Sequence, residues 1–316
     1  MPSPVLLTID TEIAWRHHAA GLDLDTMLRR SIDPAGVGIG HQLDRLAAHG
    51  LKACFFVDPM PALAYGVAPV RALVGRIVAA GQEVQLHLHP NWAKASADDR
   101  RASGGFELGA LPGAEQRRLI GQARDLLIEA GAPPPVAFRA GSFAANDDTI
   151  DALAALGFRF DSSHDGAHAP DPSAIGLPRD LIAPVAHRGL IETPVSLFEE
   201  WPGRLRHCQI TAMSLAEMAG VLDHAEAENH PLTCFVGHSF ELATRDGRRP
   251  NGMLVRRFEA LCALLAERRA AHPTRFFADL DVPPGRAARP MPWRAGRTAA
   301  RMAAQAAANL FYDLRP

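Results

Sequence analysis

The 316-residue chain is expected to fold as an α/β protein, a barrel of parallel β-α units, on three observations. Short apolar runs alternate with longer amphipathic stretches, the pattern of strand-helix repeats in a parallel sheet. The length fits a single barrel of this kind. Almost every unusual polar residue falls at the C-terminal end of an apolar run: Asp10 and Glu12, His87 and His89, Arg139, Asp161, His238. That rim is where parallel barrels assemble active sites, each strand contributing a residue or two.

Val5 to Ile9 is short and rich in β-formers, and its length and flanks favour a buried strand, here ending in Asp10-Thr11-Glu12. Asp33-Pro34 opens a helix, Asp as N-cap and Pro at the first position, with Ile39, Leu43 and Leu46 as its apolar stripe and Gly50 as its stop. Ala53 to Val57 is the second strand, and a helix from about Pro69 carries Val70, Leu73, Val74 and Ile77 on one face. Past Gly81 comes the third strand, where Glu83 to Trp92 reads Glu-Val-Gln-Leu-His-Leu-His-Pro-Asn-Trp. Side chains two apart on a strand share a face, and Cα atoms there lie roughly 7 Å apart, so His87 and His89 converge on one ion.

Ala93 to Pro112 loses periodicity and reads as a surface loop over the strand ends. Ala114 to Ala130 is an amphipathic helix bearing Leu119, Ile120, Ala123 and Leu127, and Val136 to Phe138 is the fourth strand. Asp147 or Asp148 caps a helix bearing Ile150, Leu153 and Leu156; Phe158 to Asp161 is the fifth strand, followed by an irregular excursion from Ala167 to Arg188. Leu190 to Val195 is the sixth strand, and Ser214 with Glu217 has capping-box spacing at the start of a helix through Leu215, Met218 and Leu222. Leu232 to Val236 is the seventh strand, with His238 just beyond; a helix from Met253 to Ala270 and an eighth strand at Arg275 to Leu280 complete the barrel, residues 1–285. Residues 286–316 form a basic, Ala-rich tail expected to be helical, whose Met302, Leu310, Phe311 and Tyr312 suit a membrane-surface or docking helix, while a helix packed on its own barrel or a frayed terminus is the favoured reading.

A net charge of −2 with no basic block gives no electrostatic reason for a nucleic-acid partner. Cys54, Cys208, Cys234 and Cys262 lack Cys-x-x-Cys spacing and read as free thiols, not a disulfide framework. The chain enters its first strand directly after Met-Pro-Ser-Pro and has no long apolar span, so the expectation is a cytoplasmic protein without a transmembrane segment. No internal repeat suggests a solenoid.

Strand-end carboxylates with two histidines make a mixed nitrogen and oxygen donor set suited to one divalent ion, Zn²⁺ above others. Of Asp10 and Glu12, one reads as a metal ligand and the other as the base that takes a proton from metal-activated water. His238, from the opposite side of the barrel, is suited to protonate a leaving amine, and Arg139 to hold the base ionised. Asp161 either positions the site through further hydrogen bonds or starts the next loop. Trp15 and Trp92 follow the two metal motifs, with rings for stacking on a sugar or for packing; His17, His18, His164 and His168 read as solvated loop histidines.

The ordered set Leu7-Thr8-Ile9-Asp10-Thr11-Glu12, Lys52 to Val57, Gly81 to His87, Phe138-Arg139-Ala140-Gly141, Gly157 to Ser163 and Leu232 to His238 resembles the polysaccharide deacetylase family (NodB homology, carbohydrate esterase 4-like) over about residues 5 to 280. The resemblance implies a distorted (β/α)7-8 barrel and metal-dependent removal of an N-acetyl, less often O-acetyl, group from a sugar. By it, Asp10 matches the base, His87 the first metal histidine, Arg139 the arginine bracing the base, and His238 the acid. Thr11 stands where the family has a second Asp, so Glu12 is expected to supply the metal carboxylate; Asn91 stands where the second metal histidine usually lies, so His89 is expected to replace it. Ala140-Gly141-Ser142 replaces the usual Pro-Tyr, which removes a bulky wall and leaves Gly141, with Trp15, Trp92 and Asp161, among the residues expected around the substrate. The expected substrate is a carbohydrate or sugar conjugate. The alternatives are a cyclic imide or other non-sugar amide, and a catalytically silent relative that binds a glycan or partner protein.

Overall fold

The computed structural model describes residues 2–99, 103–281 and 287–312. In chain order the strands are β1 (Val5–Thr11), β2 (Cys54–Val57), β3 (Glu83–Leu88), β4 (Ala137–Ala140), β5 (Phe160–Asp161), β6 (Val185–His187), β7 (Leu190–Glu192), β8 (Leu197–Trp201), β9 (Arg204–His207) and β10 (Thr233–His238). The helices are α1 (Trp15–Ala19), α2 (Leu24–Ser31), α3 (Ile39–His49), α4 (Ala62–Tyr65), α5 (Ala68–Ala79), α6 (Gly113–Glu129), α7 (Asp147–Ala155), α8 (Leu215–Ala227), α9 (Gly252–Glu267) and α10 (Ala295–Tyr312).

Eight strands form one curled sheet in the order β10-β1-β2-β3-β4-β5-β7-β6, parallel throughout except for the terminal β6–β7 pair. The barrel is distorted, and its remaining gap is bridged by irregular chain: Val236 N–H donates to Cys208 O at 3.0 Å, and Cys234 N–H to Ser196 Oγ at 2.9 Å.

Period-two alternation sorts the strand residues. Leu7, Ile9, Phe55, Val57, Val84 and Leu86 pack outward against α3 and α5, while Leu6, Cys54, Phe56, Ala137, Phe160 and Cys234 form an inner cluster. The helical stripes that cover the outer face are those the sequence predicts, including Ile39, Leu43 and Leu46 on α3 and Val70, Leu73, Val74 and Ile77 on α5. Gly50 ends α3 in the left-handed conformation, φ 59°, open to glycine without a side-chain clash. Ser214 and Glu217 form the predicted capping box on α8. All four cysteines are buried and free.

Several expectations are corrected. Arg275 to Leu280 makes no strand; the carboxylate of Glu83 accepts the N–H groups of Phe277 and Ala278, both at 2.8 Å, and turns this segment into a plug that buries Phe277 among the inner residues. α7 is capped by Asn146, not by Asp147 or Asp148: its side chain accepts from Thr149 N while Thr149 Oγ1 accepts from Asn146 N. Asp33 opens only a 3-10 turn and then accepts from Gly40 N at 2.9 Å, so α3 begins at Ile39. α1, α2 and the β8–β9 hairpin were not foreseen. His17 and His18 lie buried in α1, and His164 is buried with Nε2 on Pro178 O at 3.0 Å; of the expected solvated histidines only His168 is open to solvent.

Within the tail, Ala295–Tyr312 is helical, and its first half packs on the barrel: Thr298 Oγ1 donates to Glu200 O, and Arg301 reaches Glu200 and Glu217. The expected boundary at residues 285 and 286 and the side chains of Leu310, Phe311 and Tyr312 lie outside what the structure describes. Among the described residues, no helix is long and apolar enough to cross a membrane.

Candidate metal and catalytic site

The inner residues of β1, β3, β4 and β10 meet at one end of the barrel because the register aligns Asp10 with His238 and His87 with Arg139. Glu12, one residue beyond β1, turns its Oε2 toward His89 Nε2 in a close ion pair and lies 3.5 Å from His87 Nε2. The two imidazoles stand edge to face, centroids 4.9 Å apart. Donor atoms of Glu12, His87 and His89 all lie within 4.8 Å of one another.

The hydrogen bonding of His87 tests whether a cation fits this set. Its Nδ1 lies 2.8 Å from Arg139 O, an acceptor only, so Nδ1 carries the proton. Whenever the ring is neutral, Nε2 is a bare lone pair facing a carboxylate oxygen, an arrangement that calls for positive charge between them. Two imidazoles and a carboxylate are a common zinc donor set, and the bond from Nδ1 to a carbonyl is the usual outer support of a metal-binding histidine. The residues fit a divalent ion.

The position of His89 depends on Gly141. A methyl group on Gly141 would lie 2.7 Å from His89 Cγ and nearer still to Nδ1, so the ring occupies space that only glycine leaves. Asp58, at the end of β2, accepts from His89 N–H at 3.3 Å through Oδ2 and from Met60 N–H at 2.9 Å through Oδ1. Burial pushes the Asp58 carboxyl up to about 6 against the nearby histidines. For His89, burial disfavours charge, but Glu12 outweighs it and raises the imidazole to about 9 in the absence of an ion.

Asp10 stands apart from the three ligand candidates. Its Oδ1 accepts from Arg139 Nη1 at 2.7 Å, and its Oδ2 lies 3.9 Å from His238 Nε2. Burial opposes its ionisation, yet Arg139, then His87 and His238, hold the carboxyl below its ordinary value. Arg139 is wholly buried and fully used: besides Asp10 it donates to Thr8 Oγ1 at 2.8 Å, Ser162 O at 3.1 Å and Ser162 Oγ at 3.0 Å, and its guanidinium lies 4.4 Å from the Phe56 ring centroid. His238 Nδ1 donates to Glu241 Oε1 at 2.7 Å. Burial lowers the proton affinity of His238, but Glu241 and then Asp10 raise it to about 9.

The sequence therefore anticipated the residues that converge here: Asp10, Glu12, His87, His89, Arg139, Gly141 and His238. Asn91 is buried and outside the ligand set, and Thr11 Oγ1 donates to Ile9 O. Asp161 is not at the cluster. The alternation that points Ser162 at Arg139 turns Asp161 the other way, where both its oxygens accept from Ser163 and it lies beside Glu192. Its link is indirect, since Ser163 Oγ accepts Ala140 N–H at 2.9 Å. Trp92 is corrected: at 1% exposure it packs against Trp15, His18 and Tyr65 and offers no face to a sugar. Trp15 is half-buried and stands edge to face with Trp92. Sequence reading missed Asp58 and Glu241. Asp58 carries the same strand-end signal as Asp10, whereas Glu241 follows His238 by three residues in a turn, a spacing with no distinctive pattern.

No protein-family model and no curated protein matches the chain in sequence. Among solved structures it is similar to a candidate polysaccharide deacetylase from Mycobacterium smegmatis, at 20% identity over 92% of this chain and 94% of that one, with a TM-score of 0.52. It is also similar, at a TM-score of 0.45, to a family 4 carbohydrate esterase from Streptomyces lividans solved with acetate, at 15% identity over 91% of this chain and 98% of that one. A family 4 pseudoenzyme from Bacillus anthracis has the same TM-score at 13% identity, over 88% of this chain and 65% of that one. The chain has the fold of the polysaccharide deacetylases.

Proposed function

We propose that this protein is a divalent-metal-dependent hydrolase that removes an acetyl group from an acetamido sugar or glycan, with Glu12, His87 and His89 holding the ion, Zn²⁺ by its donor set. The observation that carries this reading is the division between two carboxylates two residues apart. Glu12 converges with the histidines, while Asp10 is left to Arg139 and His238. The deacetylase fold supports it.

When bound, a divalent ion supplies Lewis-acid activation of water and of the acyl carbonyl. The protein's own groups do the rest. Asp10, ionised because Arg139 holds Oδ1, has Oδ2 available to accept the proton of the attacking water. His238, kept protonated by Glu241, presents Nε2 from the other side of Asp10 and donates its proton to the departing nitrogen. Gly141 leaves room for His89, and Asp58 holds the backbone of the same residue.

The test joins metal content with turnover. Elemental analysis of the wild type, His87→Ala and His89→Ala is expected to find about one equivalent at this site in the wild type and its loss in both variants, with acetate released from acetamido sugars by the wild type alone. A wild type that stays metal-free after reconstitution removes the reading. A loaded enzyme that ignores acetamido sugars but opens cyclic imides or small amides moves it to the other substrate class.

A further inference from the structure

Away from His87, three side chains from the excursion after β5 and the end of β9 meet at a second point. Asp165 Oδ2 lies 2.7 Å from His168 Nδ1 and 3.1 Å from His207 Nδ1, and the donor atoms of the three residues fall within 4.8 Å of one another. Asp165 is fully buried, His207 largely so, and His168 reaches solvent. The two imidazoles lie 5.0 Å apart, and Phe143 packs against both with centroids 6.0 Å away.

Hydrogen bonding fixes which nitrogen of His207 carries the proton of the neutral ring. Gln209 donates through Nε2 in a short bond to Glu241 Oε1, the oxygen that also accepts from His238. The amide oxygen of Gln209 therefore faces His207 Nε2, 2.7 Å away, and that nitrogen carries the proton. In the neutral ring, Nδ1 is a lone pair aimed at a carboxylate oxygen 3.1 Å off, the same juxtaposition of two acceptors that His87 makes with Glu12. His168 brings a further ring nitrogen to the same oxygen. Two imidazoles and a buried carboxylate sharing one point form a donor set for zinc or a similar ion.

We propose that Asp165, His168 and His207 form a second divalent-metal site. Its outer supports are in place: Gln209 on His207 Nε2, and the N–H of Ala167 on Asp165 Oδ1 at 2.9 Å. Access comes from a cleft of about 380 Å³ that His168 and His207 line with Arg179 and Arg206, and its open side leaves positions for oxygen ligands. An ion at Nδ1 fixes the His207 tautomer, which holds Gln209 in the orientation that donates to Glu241, the partner of His238. The second site thus supports the position of His238 without touching it. The inference stands on these three residues and does not require the hydrolase reading of the first site.

The two sites are read separately by titrating the metal-free, full-length protein with Zn²⁺ and Co²⁺. The wild type is expected to bind about two equivalents. The His87→Ala/His89→Ala variant, in which the second cluster is intact, is expected to keep about one, with a Co²⁺ ligand-field spectrum, and to lose it when His168→Ala is added. Because His168 is solvent-exposed, that last change leaves the fold in place, which circular dichroism checks. A wild type that binds no ion, a His87→Ala/His89→Ala variant that is folded and binds none, or a retained ion indifferent to His168→Ala each overturns the proposal and leaves the cluster as a protonated imidazole on a carboxylate. Loss of metal only from the first site in the His87→Ala/His89→Ala variant bears on the hydrolase reading, not on this one.

Discussion

The imidazole of His89 lies directly over the α-carbon of Gly141, so close that a methyl group there would fall 2.7 Å from Cγ. The strand end after β4 thereby sets the position of a side chain that follows β3, and three predictions about the site and one about the core follow from such pairings.

Gly141→Ala should displace the whole His89 ring, since its near atoms, including Cγ, cannot swing away independently. Metal affinity at the first site is expected to fall by about 10- to 100-fold, the usual cost of disturbing a ligand's support, with the fold retained. In a His89→Ala background the same substitution should change nothing further. Isothermal titration with Zn²⁺ on the four proteins checks this, and an unchanged affinity in Gly141→Ala alone would contradict the packing.

Glu241→Gln should shift the alkaline limb of the pH–rate profile. His238 is raised to about 9 with Glu241 as the leading favourable partner, so its acid form persists to that pH and is lost as pH rises through it. Without the carboxylate the limb should move toward the ordinary imidazole value of about 6.5, while the acid limb, set by Asp10 below the usual carboxylate range, should move little. The sign for stability is the same. A raised histidine stabilises the folded state fully below its unfolded value and ceases to do so above about 9, so the variant should lose most stability at low pH.

Arg139→Met should destabilise by about 3–5 kcal/mol, because it strands the buried Asp10 charge and two buried hydroxyls. Adding Asp10→Asn should recover part of that loss without restoring the proposed acetate release. Urea unfolding of the single and double variants measures the coupling; strictly additive losses would show that the pair does not interact.

Glu192→Gln should raise the melting temperature at neutral pH. Burial first, then Asp161, lift the Glu192 carboxyl well above its ordinary value, and burial lifts Asp161 as well, so the folded state retains a proton that the unfolded chain releases. Stability then falls as pH rises above about 4.3, the unfolded value. A neutral amide can donate to Asp161 in place of that proton, and the gain is expected to be on the order of 1 kcal/mol near pH 7, vanishing below pH 4. Thermal unfolding across pH tests the sign.

Much of this was legible in the chain because local rules and local periodicity carried it. Apolar stripes on α3, α5 and α6, the capping box at Ser214 and the strand-end residues Asp10, His87, His89, Arg139 and His238 are properties of short segments, and parallel β-α order then brings strand ends to one rim. What failed depended on partners distant in sequence. Arg275 to Leu280 has the composition of a strand, yet Glu83 takes its N–H groups and makes it a plug. Asp161 has a strand-end position like Asp10, but the parity of its strand faces it to Glu192 and Ser163. The sequence by itself determined the layered α/β architecture and which side chains could carry chemistry, since pattern and residue type reside in the chain. Only the tertiary structure decided that Asp161 turns to Glu192, that His89 lies in the space Gly141 leaves, and that Asp165, His168 and His207 meet at all, because those pairings are set by register and loop path, and distances of a few ångströms between remote residues leave no trace in local sequence.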